Sequence, residues 1–119
     1  MHLPLLSDDS LTYSAGRVDT SGTIPATYAL DALQWRAGDR LAITTSHNVV
    51  VIRFDSAGLH VVPKKRSLVI PVSARRACGI RPRDTLLLVA APQFQVLLVH
   101  PPSVLDRMMT LYHSRERGQ

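Results

Sequence analysis

The chain has 119 residues, 45% hydrophobic and only 5% aromatic, with a formal net charge of +5; that length holds one compact domain or two very small ones, with a core of Val, Leu, Ile and Ala. A single cysteine, Cys78, excludes an intrachain disulfide and a Cys-based zinc site within one chain. The longest apolar run, Leu86 to Pro92, falls far short of the ~20 residues of a membrane helix, and MHLPLLSDDS lacks the positive start of a signal peptide, so a soluble, cytoplasmic protein is expected.

Residues 1–10, with Asp8 and Asp9, are expected to form a flexible N-terminal arm. LTYSAGRVDTSG (11–22) reads as an extended strand. A short helix follows, with Pro25 in its first turn, where a missing N–H costs nothing, and with Leu30 and Leu33 on one face. RLAITTSHNVVVIRF (40–54) is a β-hairpin turning at Ser46-His47-Asn48.

The layout then recurs. GLHVVPKKRS is a second extended segment, which Pro63 confines to a sheet edge or a bulge. VIPVSARRACG is a second helix, with Pro71 in its first turn and Ala74, Ala77 and Cys78 as a small apolar face. Arg75 and Arg76 point outward, and Gly79 is a C-terminal stop with Pro82 beyond. TLLLVAAPQFQVLLVH (85–100) is a second hairpin, turning at Ala91-Pro92-Gln93. Ile24-Pro25 aligns with Ile70-Pro71 and Asp39 with Asp84, which leaves one residue extra in the first helix or its exit loop. Two repeats, 11–55 and 56–101, are expected to pack on each other, since neither can bury its own apolar faces well.

The tail, 102–119, follows a Pro-Pro break. Ser103 is a good N-cap, and Val104, Leu105, Met108, Met109, Leu111 and Tyr112 form an apolar stripe at helical spacing. The stripe either packs on the body or holds a protein partner at residues 103–115.

Charge is unevenly spread. Residues 16–55 sum to zero, whereas residues 58–100 carry Lys64, Lys65, Arg66, Arg75, Arg76, Arg81 and Arg83 against Asp84 alone. Such clustering is the footprint of a polyanion partner. The five histidines (2, 47, 60, 100 and 113) show no metal-ligand spacing, no glycine-rich phosphate loop occurs, and no carboxylate pair suggests acid–base work. Cys78, on an apolar helix face, reads as a buried inert thiol. Neither an enzyme nor a cofactor is expected.

The run V-I-P-x-x-x-R-R-x-x-G-I-x-x-x-D-x-L, Val69 to Leu86, resembles the AbrB/MazE/SpoVT group of bacterial DNA-binding proteins. The likeness covers about 59–99, and more weakly VDTSG…IP, GDRLAI and VVVIRF of the first repeat. It implies a mainly β fold with short helices. Two repeats would interleave their hairpins into one swapped-hairpin β-barrel, an intrachain pseudo-dimer followed by the C-terminal helix. It implies sequence-specific or semi-specific binding of double-stranded DNA, with transcriptional regulation as function. Lys64, Lys65, Arg66, Arg75 and Arg76 would approach DNA, with Arg17 the only phosphate contact of the first repeat. The first repeat departs from the family pattern: SGTIP has lost an Arg along with a residue or so, and Ala29 and Leu30 stand where the second helix has its Arg pair. On this reading the loop before the LVIP strand and the helix after it lie side by side, and two chains associate to complete a symmetric surface. The alternative is an antitoxin-like module that holds a protein through its C-terminal helix.

Overall fold

The structure, a computed structural model, describes residues 11–117, without the side chains of Leu105, Met108 and 115–117. The expected N-terminal arm, 1–10, and His2 lie outside the described residues. The first half runs β1 (Thr12–Arg17), β2 (Thr23–Pro25), α1 (Thr27–Leu33), β3 (Arg40–Ser46) and β4 (Val49–Phe54). The second repeats that order as β5 (His60–Val61), β6 (Ser67–Val69), α2 (Val72–Cys78), β7 (Thr85–Ala91) and β8 (Val96–His100), and α3 (Pro102–Arg117) follows.

The hairpins form where the sequence offers β-branched and leucine-rich runs around turn residues. His47 and Asn48 close β3–β4 with φ of 53° and 65°, the left-handed pair of a two-residue hairpin turn. A 3₁₀ turn, Pro92–Phe94, closes β7–β8 and ends on Gln95 in the left-handed region.

Six strands make one antiparallel sheet in the order β1-β7-β8-β4-β3-β5, and β2 pairs with β6 as a separate two-stranded ribbon. The fold is thus mainly β, an open sheet with β1 and β5 as its edges. The two hairpins meet at the centre, Ile52 opposite Leu97 and Val50 opposite Val99. Each half's first strand lies on the other half's hairpin: β1 pairs along β7, and β5 pairs with β3. The helices cross over too, with α1 against β7 and β1, and α2 against β3 and β4.

One core joins the halves. Leu41, Ile52, Leu86, Leu88 and Leu97 of the sheet are fully buried against Ile24 and Leu68 of the ribbon and Leu30 of α1. Each such side chain contributes about 1.5–3 kcal/mol of burial energy. Trp35, buried at the exit of α1, donates its indole Nε1–H to Gln95 Oε1 of the other half's hairpin turn (2.8 Å). No helix of the described residues is long and apolar enough to cross a membrane.

Several expectations are corrected. Pro25 ends β2 and is exposed; α1 begins at Thr27, after Ala26. Pro71 sits at the N-cap of α2, not in its first turn. The ribbon sets Ile24 opposite Leu68, so the Ile-Pro pairs are not equivalent. The extra residue lies in the second half, where Ile70 and Pro71 separate β6 from α2 and only Ala26 separates β2 from α1. Ala77 is exposed, whereas Ala74 and Cys78 are buried as expected. The last helix starts at Pro102, one residue before Ser103.

Candidate nucleic-acid interface

The β1–β2 and β5–β6 loops begin alike. Val18 N–H donates to Asp84 O (3.0 Å), and Val62 N–H donates to Asp39 O (2.9 Å). They also end alike, with Ile70 N–H donating to Gly22 O (2.8 Å) and Ala26 N–H to Arg66 O (3.2 Å). These bonds make Gly22 and Arg66 equivalent, and likewise Thr20 and Lys64, Ser21 and Lys65. Their chemistry is opposite. In the first loop Asp19 Oδ1 accepts from Thr23 N–H, Ser21 N–H and Ser21 Oγ, each at 2.9 Å. Those bonds, Thr23's first, hold the Asp19 carboxyl below its usual range. In the second loop Pro63 replaces Asp19, and Lys64 and Lys65 stand exposed.

Arg66 takes φ of 58° where its counterpart Gly22 has 88°, and Arg83 takes 74° where Gly38 has 93°. A non-glycine residue in this region costs on the order of 1 kcal/mol. The second half thus carries arginine at two positions where glycine is the unstrained choice.

The loop preceding β6 and the helix following it lie at opposite ends of the β2–β6 ribbon rather than side by side. Arg66 forms an ion pair with Asp31 of α1 and shares a shallow depression with Trp35 and Arg36 of the first half. Lys64 and Lys65 precede it on the same loop. At the ribbon's other end, Arg75 Nε donates to Ile70 O (2.9 Å), and its guanidinium lies over Gly22. Arg75 is therefore half-buried and braced, with its terminal N–H groups left over, and Arg76 beside it is exposed. Arg17 joins neither group: it alternates with Gly16, which faces Ile24, and so lies on the outer side of β1 with Tyr13 and Ala15. Arg81 and Arg83 are exposed on the turn after α2, where Asp84 Oδ2 accepts from Arg81 N–H (2.8 Å) as Asp39 does from Arg36 (2.8 Å).

Asp31 and Gly22 are the participants that sequence reasoning passed over. The available signal was equivalence between the repeats: Asp31 stands where α2 has Arg76, and Gly22 where the second loop has Arg66.

Among the described residues no cluster of three His, Cys, Asp or Glu could hold a metal ion. Cys78 is buried, and that burial pushes its thiol up. Compared with protein-family models, with curated proteins and with solved structures, the chain matches none.

Proposed function

We propose that the chain is a double-stranded DNA-binding protein of the AbrB/MazE/SpoVT type, a cytoplasmic, nucleoid-associated bacterial transcription regulator whose two halves fold as a swapped-hairpin unit within one chain. The observation that carries this reading is the crossed pairing of β1 with β7 and β5 with β3, with the β2–β6 ribbon bridging the halves. A swapped-hairpin body requires that exchange. Supporting it are Lys64, Lys65 and Arg66 at one end of the ribbon, Arg75 and Arg76 at the other, and arginine kept at two left-handed positions.

Lysine and arginine neutralise phosphates and release counterions, and four or five such contacts give a log–log salt slope of roughly −4. Fluorescence anisotropy on a labelled duplex of random sequence, titrated with salt, tests the reading directly. Sub-micromolar binding that weakens steeply with salt is expected. Absence of binding at low salt overturns it.

The last helix favours a second reading. Every described side chain from Met109 to Ser114 is exposed, Leu111, Tyr112 and Met109 among them. The helix as a whole has its contacts on β7. An antitoxin-like module holding a partner protein through this helix would present such a surface, with DNA binding secondary.

A further inference from the structure

The two ends of the β2–β6 ribbon are basic in different ways, and both belong to one chain. One end is built from the β5–β6 loop and α1: Lys64 and Lys65 free, Arg66 paired with Asp31. The other is built from the β1–β2 loop and α2: Arg76 exposed, and Arg75 braced on Ile70 O beside Gly22. The expectation of a second chain rested on one basic half and one neutral half. Strand exchange removes that reason, because it delivers the basic loop of the second half to α1 and leaves its basic helix beside the loop of the first.

The span suits a single groove. Arg66 and Ile70 bracket β6 at a separation of four residues, about 13 Å at ~3.3 Å per residue. A major groove is about 12 Å wide. Resting on the DNA-binding reading above, we infer that one chain straddles one groove in a single orientation and recognises a non-palindromic duplex site, with a guanine preference at the α2 end alone. Lysines are mobile point charges, better suited to gripping phosphate than to reading sequence. An arginine's planar fork matches guanine O6 and N7; at the α2 end Arg76 presents one unpaired among the described residues, whereas at the α1 end Arg66 is paired with Asp31 and the exposed Arg36 lines the same depression as that carboxylate. Asp31, at the position equivalent to Arg76, repels the same bases and phosphates at the α1 end. No two-fold relation between the ends survives in their chemistry.

The test uses the full chain and a pool of duplexes with a random 20-base-pair core, enriched by binding, followed by sedimentation of the complex with one enriched duplex. A non-palindromic consensus with guanine toward one end, bound by one chain per duplex, is expected. Arg76→Lys should then lower the guanine preference about tenfold and leave the salt slope unchanged, because the charge stays and the fork is lost. Lys64→Ala/Lys65→Ala should weaken every sequence alike. A palindromic consensus, two chains per duplex, or binding with no enriched sequence each overturns the inference while leaving DNA binding standing. No binding to any duplex overturns the DNA-binding reading itself, and the inference with it.

Discussion

At Gly22 the backbone holds φ of 88°, and a Cβ there would lie 2.7 Å from the carbonyl oxygen of Ile70 and 2.6 Å from Arg75 Nε. The arginine could swing away, but the carbonyl cannot, because Ile70 N–H is bonded to Gly22 O. Gly22→Ala is therefore expected to destabilise the chain by about 2 kcal/mol or more, read as a lower denaturation midpoint. Asp31 makes the opposite case. Its ion pair with Arg66 is largely solvated, the two side chains being 65% and 37% exposed, so Asp31→Ala should change stability by less than about 1 kcal/mol. The same change frees Arg66 and removes a repelling carboxylate, so duplex affinity at low salt should rise two- to threefold by anisotropy. Equivalence between the repeats marks both positions in the sequence, but not what they touch. Gly22 meets Arg75, and Asp31 meets Arg66, only because strands are exchanged between the halves. What the sequence did show was the density of charge at Lys64–Arg66 and Arg75–Arg76.

Helices and strands were legible where periodicity was strong and shifted where proline misled. Both hairpins lie at the expected places, since their runs of Val, Leu and Ile bracket clear turn residues. The Ile-Pro pairs suggested a common helix start, yet Pro25 completes a strand and Pro71 caps a helix. A three-residue ribbon is too short for alternation to fix its register, so Ile24 against Leu68 had no signal. On the outer face of β8, His100 lies opposite Leu87, and its Nδ1 is buried without a partner. Burial depresses its pKa, so the folded chain holds the neutral ring more firmly than the unfolded chain does. The unfolded chain therefore takes up the proton first, and stability should fall as pH drops below ~6.5. Urea midpoints of wild type and His100→Leu at pH 7.5 and 5.5 check this: the leucine variant should lose that part of the dependence. Removal of residues 102–119 should leave duplex affinity within about twofold, because α3 has its main contacts on β7, away from the basic side chains of the ribbon's two ends. A large loss of affinity with the fold intact would place the helix in the interface.

For the molecule as a whole, the repeat was legible and its consequence was not. Spacing of the hairpins and of Asp39 and Asp84 exposed two similar halves, and their weak separate cores argued that they pack together. That each half completes the other's sheet, and that the basic segment is thereby divided between two ends of one ribbon, follows from pairing between strands distant in the sequence, β1 with β7 and β2 with β6 by more than 40 residues and β3 with β5 by about 20. In the proposed complex both ends contact the same duplex. The most direct measurement compares salt slopes of binding for wild type, Lys64→Ala/Lys65→Ala, Arg76→Ala and the triple variant. Each phosphate contact contributes about 0.9 to the slope, so the lysine pair should remove nearly two units, the arginine up to one, and the triple variant their sum. Slopes that do not change in any variant would mean that DNA, if bound at all, is held elsewhere on the chain.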